Sequence, residues 1–233
     1  AKKPLVIFGQ GVRSGKAITE LENFLESYKV PSICSRMGLD ILSQSNPYFF
    51  GLGGVRGHIT SNSILKESDL IIALGTSLTH AFGGEKFELF NKSKKLIIVN
   101  IDESESNKPL LNPDITFKND VKEFLNIFLE KLEGYKLDPF DEWHNQCLKL
   151  ESKNISLLDP KGSNPINSYF LIKCLNECTN QNHIFANDAG SANYVSSQGL
   201  NLKKGQREIT SGAFYSMGIA IPLAIGASVT EPK

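Results

Sequence analysis

Over the first 133 residues, short apolar runs alternate with longer stretches whose apolar positions recur at helical spacing. "PLVIF" reads as a buried strand ending at Gly9, and "GKAITELENFLESYKV" as a helix. "PSICSRMG" reads as a second short strand, followed by an irregular stretch to about Tyr48. "TSNSILKESD" predicts a helix, and "LIIALGT" and "KLIIVNID" predict two more strands. "NDVKEFLNIFLEKLEGY" predicts a closing amphipathic helix with Val121, Phe124, Leu125, Phe128 and Leu132 on one side. The strands are apolar throughout instead of alternating, which marks a parallel sheet covered on both faces. The expected fold class is therefore α/β, with residues 1–133 forming a doubly wound, Rossmann-like parallel sheet.

Beyond this unit the periodicity fades. Residues 134–164 read as a linker carrying one helix, "FDEWHNQCLKLES". A second α/β unit is expected over 165–233: a helix ("NSYFLIKCLNEC"), a strand ("HIFANDAG"), a helix start ("SANYVSSQGL") and the apolar stretch "ITSGAFYSMGIAIPLAIGASV". One or two strands make only half a sheet with an open edge, so this unit is expected to be truncated. The apolar stretch has no charge and approaches the roughly 20 residues of a membrane span. Its Ser211, Gly212, Gly218 and Pro222 argue instead for a buried helix packed closely on something flat.

The 25 basic and 25 acidic side chains cancel, which leaves no electrostatic reason to expect nucleic acid or an anionic membrane as partner. Cys174 and Cys178 share a helix face, but no second pair or histidine cluster completes a metal site. Reduced thiols in a cytosol-like compartment are expected. No signal peptide opens the chain, and the abrupt start is what a cut at a domain boundary would give.

Three clusters lie at predicted carboxyl ends of strands, where open α/β sheets bind ligands. The turn Gly9-Gln10-Gly11-Val12-Arg13-Ser14-Gly15 could bring backbone N–H groups to a phosphate, or could be a tight turn needing glycine. "GLGGVRGHITSN" holds Gly54 in a glycine-rich loop, with Arg56 or His58 placed to meet a phosphate. Asp102, in "NIDES", stands where a carboxylate can accept a ribose hydroxyl, or can cap a helix. Together with Gly75 after the "LIIAL" strand they suggest a nucleotide-shaped ligand. His80, His144 and His183 have no partners at triad or ligand spacing and read as structural. In the second unit, Asp188-Ala189-Gly190-Ser191 sits where a strand hands over to a helix, again an anion-binding geometry.

"SGAFYSMGIAIPLAIGA" resembles the cofactor-gripping segment of thiamine-diphosphate-dependent enzymes of the acetolactate synthase type. "FANDAG" is similar to the family's preceding strand and diphosphate turn. "VIFGQGVRSGKA", "GLGGVRGHITSNSILKESDLIIALGTSL", "IIVNIDESESNK" and "FKNDVKEFL" resemble its central domain. The resemblance covers nearly the whole chain apart from the linker. It implies thiamine diphosphate with Mg2+, and a 2-keto acid substrate such as pyruvate that is decarboxylated and ligated to an acceptor carbonyl. A cytoplasmic homodimer or homotetramer is implied as well. It implies that Met217 is the wedge under the thiazolium ring and that the Tyr215 carbonyl accepts from the 4′-amino group. Ala189, Gly190, Ser191 and Ala192 would meet the diphosphate. Gly9, Gly11, Arg13, Gly54, Gly75 and Asp102 would serve FAD or another nucleotide in members whose central domain binds one, and would be fold residues in the rest. The turn reads Ala-Gly-Ser-Ala-Asn where these synthases usually carry Gly-Gln-His, so its side-chain contacts differ. The family's Gly-Asp-Gly…Asn metal motif and its catalytic glutamate are expected outside this chain, which implies a fragment inactive on its own.

Overall fold

The computed structural model describes residues 1–84, 93–109, 111–135, 137–153, 167–212 and 214–231. Among these, residues 1–42 and 46–153 form one compact unit, and residues 43–45 and 167–231 form another. Residues 154–166, which take in the later part of the expected linker and the first two residues of the expected second unit, lie outside the described residues.

The first unit runs β1 (Pro4–Phe8), α1 (Gln10–Ser14), α2 (Ile18–Tyr28), β2 (Ser32–Cys34), β3 (Phe49–Leu52), α3 (Ile59–Glu67), β4 (Leu70–Leu74) and α4 (His80–Gly83). It continues with β5 (Lys95–Asn100), β6 (Ile115–Lys118), α5 (Val121–Tyr135) and α6 (Asp141–Lys153). The six strands pair in parallel in the order β3-β2-β1-β4-β5-β6. This is the doubly wound sheet that the apolar runs predict, with its change of direction between β1 and β4. Val6 pairs with Ser32 on one side and Ile72 on the other, so β1 has no free edge. Leu5, Ile7, Ile33, Ile71, Ala73, Leu96 and Ile98 form a buried cluster with Ile64 of α3. Elsewhere in the unit α2 packs on α5 through Phe24 and Phe128, whose ring centroids are 5.5 Å apart.

The helix expected within the linker belongs to this core. Trp143 and Cys147 of α6 are buried in the cluster and Leu150 packs against it. The spacing 143, 147, 150 is one helical stripe, hidden in a sequence otherwise rich in charge. The Trp143 indole Nε1 donates to the Pro4 carbonyl at 2.8 Å, and the Phe140 amide donates to the Tyr28 carbonyl at 2.8 Å. Burial, with the nearby Glu67 charge, pushes the Cys147 thiol up to about 12.

The second unit contains α7 (Ser168–Cys178), β7 (Ile184–Ala186), α8 (Ser191–Gly199), β8 (Arg207–Ile209) and α9 (Ala220–Thr230). Asn167 caps α7 by accepting from the Tyr169 amide at 2.8 Å. β7 and β8 pair in parallel, with Phe185 opposite Glu208. Glu208 is buried and accepts from the Asn187 side-chain amide and, at 3.2 Å, from the Ser196 hydroxyl. One carboxylate thereby joins the end of β7, α8 and β8. The expectation of a buried helix for the apolar stretch is corrected here. No α9 residue is buried, and Ile221, Ile225 and Val229 are 71%, 60% and 73% exposed. A two-stranded sheet is too narrow to cover a helix that is apolar on every side. Among the described residues, no helix is long and apolar enough to cross a membrane.

Trp143 gives a direct test of the place of α6. Replacing it by Ala should cost about 3–5 kcal/mol in urea denaturation of the chain. Trp143→Phe, which keeps most of the volume but strands the Pro4 carbonyl, should cost about 1–2 kcal/mol. Equal stability of both variants with the parent would remove α6 from the core.

Candidate functional site

At the carboxyl edge of the six-stranded sheet, the glycine turn after β1 meets the turn after β4. The Gly9 amide donates to the Leu74 carbonyl at 3.1 Å and the Gly11 amide to the Gly75 carbonyl at 2.9 Å. A Cβ on Gly11 would stand 2.6 Å from the Gly75 Cα, and one on Gly9 would stand 2.7 Å from Thr76. These glycines let two backbones touch at the switch point of the sheet. The helix that follows, α1, spans five residues only. Arg13 is engaged within the fold: one guanidinium nitrogen donates to the Asp40 carbonyl at 2.5 Å and lies 3.0 Å from its largely buried carboxylate.

The other two clusters are built the same way. Asn62 clasps Gly54, accepting from its amide at 3.0 Å and donating to its carbonyl at 2.8 Å. The His58 ring lies against Gly51, and Arg56 is exposed. Asp102 caps the short turn Glu103–Glu105 by accepting from the Ser104 amide at 2.9 Å. Its hydrogen bonds to Ser104 hold its carboxyl below the ordinary value of 3.8. Asn100 links it to the central crevice: the Asn100 side chain accepts from the Asp102 amide at 3.1 Å and donates to the Thr76 carbonyl at 3.4 Å. The structure thus brings Gly9, Gly11, Gly75 and Asp102 into one connected edge, while Gly54 sits after the edge strand β3.

In the second unit, Gly190 begins α8 with φ +67°, a conformation that suits glycine, and open space lies where a Cβ would be. No side chain caps α8, and Ser191 and Ala192 are exposed. The nine-residue helix therefore opens on an exposed Ser191 and Ala192 with no side-chain cap at the positive end of its dipole. The Ala189 amide is already used, donating to Asp188 Oδ1 at 2.8 Å. The same Oδ1 accepts from the Gly218 amide at 2.9 Å, and Oδ2 accepts from the Ala220 amide at 3.1 Å. The carboxylate therefore joins the turn before α8 to the start of α9. The Ala189, Ala220 and Gly218 amides hold Asp188 below its ordinary value of 3.8. The stability this adds is complete above that value and is lost as pH falls through the lower folded one.

Met217, immediately before Gly218, is 91% exposed and takes no part in the core of this unit. Tyr215 is exposed with φ +47°, and the Ser216 amide donates to the Ser211 hydroxyl at 3.1 Å. The turn before α8 and the methionine turn are thus neighbours through Asp188, whose part in this no sequence motif marks. The available signal was indirect: Ile219 stands where α9 needs a cap and cannot supply one. Among the described residues, no three His, Cys, Asp or Glu side chains gather into a metal-sized cluster.

Residues 1–128 match the model of the "Thiamine pyrophosphate enzyme, central domain" family. Over its whole length the chain is similar to acetolactate synthase isozyme 1 large subunit of Escherichia coli, 30% identical across 40% of that protein. The acetolactate synthase large subunit of Lactococcus lactis is 28% identical across 40% of its length, and the chloroplastic acetolactate synthase of Arabidopsis thaliana 30% across 34%. The chain spans about two-fifths of the length of the bacterial relatives.

The two glycine sites predict different penalties. Gly11→Ala sets a side chain against backbone and should cost about 3 kcal/mol. Gly190→Ala meets no atom and should cost about 1–2 kcal/mol, from its left-handed φ alone. Thermal unfolding followed by circular dichroism checks the order, and a reversed order would contradict the close approach at Gly75.

Proposed function

We propose a function from one premise: the chain belongs to the thiamine pyrophosphate enzyme family. The proposal is a thiamine-diphosphate-dependent enzyme of acetolactate synthase type, acting on a 2-keto acid such as pyruvate and joining the decarboxylated fragment to an acceptor carbonyl. This activity is proposed for the whole enzyme, of which a chain of this span is about two-fifths in the bacterial relatives. The observation that carries the reading is the pairing of an uncapped, outward-facing α8 terminus with the exposed Met217 turn, both held by Asp188.

The residues present fit the cofactor. Open space at Gly190 and the exposed Ser191 and Ala192 at the start of α8 suit a diphosphate, which a side-chain cap would exclude. Gly190, Ser191 and Ala192 offer backbone N–H groups to it. Met217 supplies an apolar wedge, and the Tyr215 carbonyl is the acceptor for the 4′-amino group. When bound, thiamine diphosphate supplies the carbon nucleophile and the electron sink for loss of carbon dioxide. The protein's part is to hold the charged end at the helix terminus and to support the reactive ring on the methionine. Mg2+ is proposed as counter-ion of the diphosphate, and no described residue is assigned to it.

FAD is left out of the proposal. Loop packing accounts for Gly9, Gly11 and Gly75, the Asn62 clasp for Gly54, Asp40 for Arg13, and a turn cap for Asp102. A homodimer or homotetramer is proposed from the resemblance to the synthases. A cytoplasmic location is proposed with the bacterial relatives, in keeping with cysteines that are free thiols.

In the whole enzyme, Met217→Ala should lower kcat with pyruvate by about 100-fold, the loss attached to misplacing a reacting group. Urea stability of the chain described here should move by less than about 0.5 kcal/mol, since the side chain removed is exposed in it. Steady-state kinetics beside denaturation checks this, and unchanged turnover would sink the wedge assignment.

A further inference from the structure

We propose that Asp188 is a positioning residue, whose carboxylate sets the Met217 turn at a fixed place relative to the amide terminus of α8. This rests on the cofactor reading above and adds to it a residue that makes no cofactor contact.

Three features converge on Asp188. Its two oxygens accept from three backbone amides: one from its own turn, and two from residues 30 and 32 positions further along the chain. Charged acceptors make the stronger hydrogen bonds, so this tie exceeds a neutral one of equal length. Second, α9 has no cap of its own. Ile219, at the cap position, lies in the helical region and carries no acceptor, and Asp188 supplies the missing carboxylate from another element. Third, burial does not hold this region. No α9 residue is buried, and Met217 and Phe214 are 91% and 88% exposed. With little apolar contact to place Met217, the hydrogen bond to the next residue's amide becomes its principal tether within the unit.

The consequence is geometric. The anion-binding amides begin two residues after Asp188, and the wedge lies one residue before Gly218. A single side chain therefore sets the distance between the group that would hold the diphosphate and the group that would support the ring. An amide cannot replace the carboxylate. Asn at 188 has one acceptor oxygen for amides approaching both sides, and it turns an NH2 donor toward an N–H donor.

The test uses Asp188→Asn in the whole enzyme, with two readouts. In native-state hydrogen exchange, the Gly218 and Ala220 amides should exchange roughly tenfold faster or more, the loss of one charge-assisted bond. The α7 amide of Thr179, bonded to the Leu175 carbonyl at 3.0 Å, should keep its rate. In titration calorimetry with thiamine diphosphate and Mg2+, affinity should fall roughly tenfold, with Asp188→Ala falling at least as far. If Gly218 and Ala220 exchange at the parent rate, the tie is absent and the proposal is overturned. It is equally overturned if they open while affinity is unchanged, or if Thr179 accelerates as much as they do. If the parent enzyme binds no thiamine diphosphate, the cofactor reading fails, while exchange at Gly218 and Ala220 still decides whether the carboxylate holds the turn.

Discussion

A parallel strand paired on both sides has nowhere to put a polar face, and β1 imposes that constraint on the first unit. Its backbone is used by β2 on one side and β4 on the other, and all five of its residues are buried. Both sheet faces must then be covered by helices, and every connection must cross over to return in parallel. The need for cover explains why α6 is recruited. Trp143 is buried in the same cluster as Leu5 and Ile7, and its indole satisfies the Pro4 carbonyl at the start of β1. The same arrangement brings the turns after β1 and β4 side by side, and their closeness requires Gly11 and Gly75.

The second unit is held on different terms. Two strands of three residues each bury little, and polar groups do much of the joining. Glu208 gathers Asn187 and Ser196, and Asp188 gathers Ala189, Gly218 and Ala220. A buried carboxylate such as that of Glu208 is costly unless its lone pairs are filled, so it specifies geometry more than it adds stability, while the half-buried Asp188 acts through the three amides it gathers. A unit organised in this way presents backbone groups and apolar side chains outward, the materials of a ligand site.

The parts of the fold that were legible are those where one physical demand dominates. β1 and β4 are apolar throughout, and β2 and β5 are apolar apart from Ser32, Lys95 and Asn100, because these strands pack inside the sheet and no other pattern competes with that. The edge strands β3 and β6 were not legible. Phe49–Leu52 contains a glycine and follows an irregular stretch, while all four residues of Ile115–Lys118 are exposed, so neither carries the buried-strand signal. The α6 stripe was read as a helix but not as core, because three apolar residues among charges look like a solvated linker. At the site, the α8 terminus and the Met217 turn could be located from glycine placement and resemblance. Asp188 could not, because its partners are backbone amides about thirty residues away, and amides leave no trace in side-chain identity.

That last point bears on the departure in the turn before α8, proposed to meet the diphosphate. Ala-Gly-Ser-Ala-Asn shares only its glycine with the Gly-Gln-His usual in synthases of this type, and its side chains offer little to a phosphate. Yet the anion site proposed here would be made of first-turn N–H groups and a helix dipole, which any non-proline residue supplies. What the turn needs from its sequence is narrow: a residue at 190 that accepts φ +67° with no side chain filling the space, and an acidic residue at 188 to fix where the turn points. Both are present. A grip made of backbone tolerates substitution of the side chains around it, and the constraint moves to the residue that holds the backbone still.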